Sequence, residues 1–386
     1  MKIMFSAGEP SGDVHGESLA RAVLEKCPQA ELVGFGGPKM AAAGVRLCSD
    51  MREYSIMGVW EVIKNLRRIF ALLDKLEAFM RAEKPDLLVL IDYPDFNWRL
   101  AKKAKAMGIP VFSYIPPSAW AWRKGRARKC AAIADEFAAI FPFELPVYEA
   151  AGANISFNGN PLVDTVKPSM TETEARRYFG VPDGKQPVIL LPGSRRQEIN
   201  MLLPSMLEAA ELLRQENDVL EFYLPVAPGI DRKLVTDIAA PYKVTVHYTE
   251  DKNYDLMSIG SFALATSGTV VMEAALLGLP CVCLYKMASF NYAIGKLLVD
   301  IEFFTLPNIL MGRQVQKELL QNEVTGPRIF EEARKYYAEK GFRDRVLEGL
   351  REAVAKLGKP GAASRVAEKI LAAAERYGRD RLEVSK

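Results

Sequence analysis

Short apolar runs alternate with longer helix-patterned segments along most of this 386-residue chain, and that alternation restricts the fold more than any other feature. The first half offers strands at Ile3–Ser6, Leu32–Phe35, Leu87–Ile91, Val111–Tyr114, Ala138–Phe141 and Ile155–Phe157. The second offers Val188–Leu191, Glu221–Pro225, Val244–Tyr248, Phe262–Ala265 and Cys281–Tyr285. Helical patterns such as Glu61–Lys84, Ile199–Glu216 and Val270–Leu277 fall between them. Strand–helix alternation of this kind points to parallel sheets, with helices covering both faces. The series restarts across the proline-dotted stretch Pro161–Glu174, so two doubly wound α/β domains facing each other across a cleft are expected. Expected bounds are 1–165 for the first, 166–360 for the second and 361–386 for a last helix, which packs back on the first domain or on a partner chain.

In such sheets ligands gather at the carboxyl ends of the strands, so the loops there are where chemistry is sought. The first, "SAGEPSGDVHG", has tight-turn glycines and an excess of polar groups in Glu9, Asp13 and His15. It lacks GxGxxG, and "GFGG" at 34–37 is too short to replace it, so dinucleotide binding has little support. The third strand runs into Asp92, a carboxylate at a strand end whose partial burial would lift its pKa toward that of a general base. Asp95 or Asn97 reads as the cap of a helix over Trp98–Met107.

"LLPGSRRQEI" places Gly193, Ser194 and Arg195 between a strand and a helix start. Backbone amides, a hydroxyl and a guanidinium together suit a diphosphate held without a P-loop, while a plain Arg–Glu surface pair is the alternative. "TSGTVVMEAAL" repeats the theme: Ser267, Gly268 and Thr269 open a helix, and Glu273 lies one turn on, where it can accept both hydroxyls of a ribose.

"PPSAWAWRKGRARK" sets Trp120 and Trp122 beside Arg123, Lys124, Arg126, Arg128 and Lys129. Nucleic acid, an anionic membrane or a phosphorylated lipid-like substrate would each suit it. Net charge is only +3, from 51 basic and 48 acidic residues, which argues against a nucleic-acid partner. Ser55–Met80 adds a long amphipathic helix with Ile63, Leu66, Ile69, Phe70, Leu73, Leu76 and Met80 on one face and basic residues at its start. Most such helices pack on a sheet, but the "IMGVW" lead-in suits a membrane interface. Five scattered cysteines and two histidines give neither a disulfide framework nor a metal site, and no cofactor is expected. The opening "MKIMFSAGEP" reads as strand and turn rather than a signal peptide, and no run is apolar for long enough to span a bilayer. A cytoplasmic protein that touches a membrane from one side is expected.

Taken in order, "GEPSGD", "GGPKM", "MGVWEV", "IDYPDFN", "PSAWAWR", "FPFE", "GNPLVD", "LPGSRRQEI", "SGTVVMEAAL", "FFTLPNIL" and "KELLQ" resemble the lipid-A-disaccharide synthase family over nearly the whole chain. The resemblance implies two Rossmann-like domains of the GT-B glycosyltransferase type. It implies transfer of 2,3-diacylglucosamine from its UDP carrier to 2,3-diacylglucosamine 1-phosphate, giving a β-1,6-linked disaccharide 1-phosphate and UDP. Inversion, no metal ion and a peripheral place on the cytoplasmic face of the inner membrane are implied with it. It marks Asp92 as important for activity, and puts Arg195 and Asn308 on the UDP side. On that reading Asp92, with Glu9 or Asp13 nearby, readies the acceptor hydroxyl. Trp120, Trp122, Arg123 and Arg126 meet the acceptor phosphate or the membrane, and a homodimer is possible. The competing readings are another UDP-N-acetylglucosamine-type glycosyltransferase, a UDP-sugar 2-epimerase, and a non-catalytic membrane-surface binder.

Overall fold

The computed structural model describes residues 1–54, 59–119, 125–287 and 302–384. These divide into two units, Met1–Pro161 together with Gly358–Lys386, and Leu162–Leu357. The first holds a seven-stranded sheet of β1 (Lys2–Ala7), β2 (Glu31–Gly36), β3 (Arg46–Asp50), β4 (Leu87–Ile91), β5 (Val111–Tyr114), β6 (Glu136–Ala139) and β7 (Ile155–Phe157), in spatial order β3-β2-β1-β4-β5-β6-β7. The second holds β8 (Gln186–Leu191), β9 (Leu220–Pro225), β10 (Val246–Thr249), β11 (Phe262–Thr266), β12 (Cys281–Tyr285) and β13 (Glu318–Leu320), in order β10-β9-β8-β11-β12-β13. Every described pairing is parallel.

The apolar run of β4 shows why a doubly covered sheet forms. Its alternate residues Leu87, Val89 and Ile91 enter one buried cluster with Ile3 and Phe5, and Leu88 and Leu90 enter another with Met4 and Phe35. Both faces of such a strand need a hydrophobic cover, so helices are required on each. Helix Val59–Glu83 supplies Leu73, Leu76 and Met80 to the second cluster, as its periodicity predicts, and Leu72 in addition. Phe70 departs from the prediction: it is 47% exposed and lies under the Arg99 guanidinium, 5.5 Å from the ring centroid.

The last helix, Ala362–Val384, belongs to the first unit. Val366, Ala367, Ile370, Ala373 and Ala374 repeat every three or four residues and are buried with Leu19, Ala20 and Val23 of helix Pro10–Lys26. Arg376 pairs with the buried Glu136 at 2.6 Å. Gly358 and Gly361 lead into this helix with φ of 82° and 91°, in the left-handed region that favours glycine. The Arg365 guanidinium then donates to the carbonyls of Asn158, Pro360 and Lys359 at 2.9, 2.7 and 2.6 Å, pinning the outgoing and returning chain together.

Three expectations change in detail. β3 and β13 escape the sequence because both are short edge strands of mixed polarity, needing cover on fewer sides. β6 starts two residues early and ends two residues early. Its first residue is the charged Glu136, which Arg376 and the Tyr377 hydroxyl make acceptable, and the amides of Ile140 and Phe141 turn to the Glu144 carboxylate. Asp13 is not available as an auxiliary catalytic carboxylate. It is 2% exposed and accepts the amides of Gly37, Lys39 and Met40 at 2.9, 3.0 and 3.0 Å, binding the first loop to the start of helix Pro38–Ala42.

Replacing Asp13 by Ala would leave three amides without their acceptor. Chemical denaturation should then show a loss of about 2–5 kcal/mol, with Asp13→Asn retaining part of it. Ile370→Ala should cost a similar ~2–5 kcal/mol by opening a cavity under the last helix, read from the same urea midpoints.

Candidate active site and nucleotide pocket

Each sheet reverses its strand order once, between β1 and β4 in the first unit and between β8 and β11 in the second. Loops leaving the two strands at such a point run to opposite faces and open a crevice between them. The candidate residues fall on these four loops: Glu9 after β1, Asp92 after β4, Gly193–Arg195 after β8, and Ser267–Thr269 after β11.

In the first unit the chain leaves β4 through two consecutive left-handed residues, Asp92 (φ 49°) and Tyr93 (φ 51°). Each carries a penalty on the order of 1 kcal/mol or more for a non-glycine residue, so the surroundings must enforce it. Asn97 is the principal restraint. Its Nδ2 donates to the Asp92 carbonyl at 2.6 Å and its Oδ1 accepts the Ser6 hydroxyl at 2.8 Å, tying the ends of β4 and β1. The Tyr93 ring lies directly on Gly8, where a Cβ would approach Tyr93 Cδ1 to 2.2 Å. The Asp92 amide is held by the Tyr114 carbonyl of β5 at 3.2 Å. The helix that follows is Pro94–Ala106, longer at its start than Trp98–Met107, with proline in its first turn. Asn97 is therefore a buried clamp inside that helix rather than its cap, a role that only the contact with β1 reveals.

Burial raises the Asp92 carboxyl pKa above the ordinary aspartate value, against a smaller downward pull from a hydrogen bond with the Tyr93 backbone. A half-buried carboxylate held at a strand end by three separate restraints has the attributes of a general base. Glu9 is exposed on the neighbouring loop. His15 packs edge-on to Tyr114 at 6.0 Å, and burial lowers its pKa.

In the second unit a cavity of about 770 Å³ opens between the loops after β8 and β11. Gly193, Ser194, Arg195, Ser267, Gly268, Thr269 and Glu273 all line it, and Lys167 and Lys252 add two further cations. Two helix N-termini belong to this wall, those of Arg196–Glu216 and Thr269–Leu276, and both favour negative charge. Nothing stands within 4 Å of where a Cβ on Gly268 would be, so a ligand can approach that backbone closely. Gly193 (φ 113°) is covered instead: a Cβ there would meet Glu198 Oε2 at 2.5 Å. Glu198 accepts the Ser194 amide at 3.3 Å and pairs with Arg195 at 2.7 Å. The Arg–Glu surface pair is thus real, but the Arg195 side chain is 81% exposed, and solvent-screened pairs of this kind are readily exchanged for a stronger anion. The Ser267 hydroxyl donates to the Phe304 carbonyl at 2.9 Å, which leaves its oxygen able to accept.

Asn308 requires correction as a direct nucleotide ligand. It is fully buried, and its amide donates to Gln316 O and Glu318 Oε1, both at 2.9 Å, while accepting the amides of Val315 and Gln316 at 2.8 and 3.2 Å. All four hydrogen-bonding positions of the side chain are used in holding the 304–318 segment together. Trp120, Trp122 and Arg123 lie outside the described residues, and Arg126 is described only as part of helix Gly125–Ala131.

The family model for lipid-A-disaccharide synthetase matches residues 3–369. Among curated relatives, the lipid-A-disaccharide synthase of Geobacter metallireducens is 40% identical over 370 residues, 96% of each chain. That of Myxococcus xanthus is 40% identical over 370 residues, 96% of this chain and 97% of its own. Among solved structures, the UDP-GlcNAc 2-epimerase of Neisseria meningitidis bound to UDP-GlcNAc aligns with a TM-score of 0.64 at 14% identity, over 96% of this chain and 100% of that one. CalG4, the calicheamicin glycosyltransferase, aligns with a TM-score of 0.62 at 14% identity, over 97% and 98%. At such identities these two report the fold alone, the two-domain GT-B architecture. With the family model spanning nearly its whole length and relatives at 40% identity, the chain belongs to the lipid-A-disaccharide synthase family.

Proposed function

We propose that this glycosyltransferase moves the 2,3-diacylglucosaminyl group of a UDP-linked donor onto the 6-hydroxyl of 2,3-diacylglucosamine 1-phosphate, with inversion, releasing UDP. The observation that carries the reading is the second-unit cavity, where two helix N-termini and the side chains of Arg195, Lys167 and Lys252 converge. A departing nucleoside diphosphate gains negative charge as the glycosidic bond breaks, and fixed donors aimed at that charge lower the barrier. With cations and amides supplied by the chain, we take the reaction to run without a divalent metal. The names of the relatives support the substrate assignment.

Inversion requires the acceptor oxygen to attack the face opposite the leaving group. The acceptor hydroxyl must lose its proton as it does so. Asp92 is the group proposed to take that proton, with the left-handed turn fixing where its carboxylate points and Glu9 adding negative potential nearby. Asp13 has no part in this step. The cavity orients UDP by its phosphates, and Glu273 receives the ribose hydroxyls.

No helix among the described residues is long and apolar enough to cross a membrane. The acyl chains of both substrates nevertheless call for a membrane surface, and the exposed Phe70 beside Arg99 is compatible with a peripheral place on its cytoplasmic side.

The direct test supplies UDP-2,3-diacylglucosamine and its 1-phosphate and looks by mass spectrometry for disaccharide 1-phosphate. No disaccharide in that assay, with epimerisation or transfer of UDP-N-acetylglucosamine when it is supplied in a parallel one, would overturn the proposal. Asp92→Asn should lower turnover by about 10³-fold while UDP affinity stays within about twofold, measured by titration calorimetry. Because burial raises the Asp92 pKa, the acid limb of kcat/KM should lie above the ordinary aspartate range. Activity is present while the carboxylate is ionised and fades as pH falls through that raised value. Arg195→Ala should weaken UDP binding by about tenfold or more.

A further inference from the structure

Tyr254 and Glu273 rise from different helices, Asn253–Ser258 after β10 and Thr269–Leu276 after β11, and meet in the wall of the second-unit cavity. The Tyr254 hydroxyl donates to Glu273 Oε1 at 3.0 Å. Among the described residues, Glu273 Oε2 has no hydrogen-bond partner, and both side chains are half-buried. The Tyr254 ring packs on the core cluster that includes Leu256, Ala263 and Val271. Its helix is anchored in turn by Asp255, which accepts the amides of Ser169 and Met170 at 2.6 and 2.7 Å. The hydroxyl is therefore placed by the sheet and its core, while an unassisted glutamate would rotate about its terminal bond.

We propose that Tyr254 is a positioning residue for nucleotide selectivity: by holding Oε1 it fixes the plane of the Glu273 carboxylate, so that the two oxygens meet the two hydroxyls of a ribose together. The inference rests on the UDP reading above and extends it to the choice between ribo- and deoxyribonucleotides. A carboxylate oxygen has room for two donors, so Oε1 can keep Tyr254 while accepting one sugar hydroxyl. Losing one hydroxyl from the ligand, or the orientation of the carboxylate, forfeits the same paired contact.

Burial raises the Glu273 carboxyl pKa and the Tyr254 hydrogen bond opposes that rise. Removing the hydroxyl would let the carboxyl take up a proton at higher pH and lose its acceptor character sooner. The other titratable side chains lining this cavity are Lys167, Arg195, Glu198, Lys252 and Asp255, all of which Tyr254→Phe leaves in place.

The test is calorimetric binding of UDP and 2′-deoxy-UDP to the wild-type chain, Tyr254→Phe and Glu273→Gln, from mildly acidic to neutral pH. The wild type should prefer UDP by about tenfold or more, the scale of a hydrogen bond to a charged group. Tyr254→Phe should reduce that preference several-fold, leave 2′-deoxy-UDP affinity unchanged, and move the pH at which the preference fades upward. Glu273→Gln should show little preference at any pH. A full preference in Tyr254→Phe with an unmoved pH midpoint would overturn the inference, as would an equal loss of affinity for both nucleotides. A wild type that binds UDP but does not discriminate overturns it too. Failure of the wild type to bind UDP at all would instead remove the proposed function, and this inference with it.

Discussion

Parallel pairing dictates where chemistry can happen in this chain. In a parallel sheet all carboxyl ends emerge on one edge, and the helices that follow must return along one face or the other. Where the direction of return changes, between β1 and β4 and again between β8 and β11, two loops part and expose backbone groups that helix packing would otherwise cover. The residues with chemical potential, Asp92 in one unit and the 193–195 and 267–269 turns in the other, occupy those partings. Neighbouring strand ends are filled with structural bonds instead: Glu144 after β6 accepts the amides of Ile140 and Phe141, and burial pushes its carboxyl up to about 7.

Geometry of this kind is expensive in one place and inexpensive in another. The Asp92–Tyr93 turn needs a buried asparagine, a glycine beneath an aromatic ring and a strand-end carbonyl to hold it. The second-unit turns need little beyond small residues at a helix start, because the amides there already point outward. A turn that favours an anion can therefore be built from short stretches of sequence, whereas a carboxylate held at a defined angle requires partners distributed over three strands.

That difference also decides what the sequence reveals. Eleven strands and their parallel order are legible, the nine inner ones because both of their faces must be apolar and the edge strands β7 and β10 because they are rich in β-branched and aromatic residues. The edge strands β3 and β13 carry no such demand, mix charged with apolar residues, and pass unseen. The 193–195 and 267–269 turns are legible because their ingredients are contiguous. Asn97 is not, because a polar residue three positions into a helix looks like a cap until Ser6, 91 residues away, is found against it. The same reasoning explains Asn308 and Asp13. Each stands in a motif that signals function, yet each spends its polar atoms on amides from beyond that motif, Gly37, Lys39 and Met40 for Asp13 and Val315 and Gln316 for Asn308.

Five carboxyl groups at strand ends thus differ only in what surrounds them. Asp13 meets three amides and becomes a joint between loop and helix. Glu144 meets two and closes a turn. Glu198 meets one amide and a solvent-exposed arginine, an arrangement a stronger anion can displace. Glu273 meets a tyrosine hydroxyl, a donor that orients a carboxylate without saturating it. Asp92 is left with burial as its main influence and one opposing backbone hydrogen bond, so its proton affinity rises while its position stays fixed. Counting donors around each carboxylate separates structural from chemical roles where residue type does not, since an oxygen committed to the chain's own amides cannot take a ligand without breaking the fold that presents it.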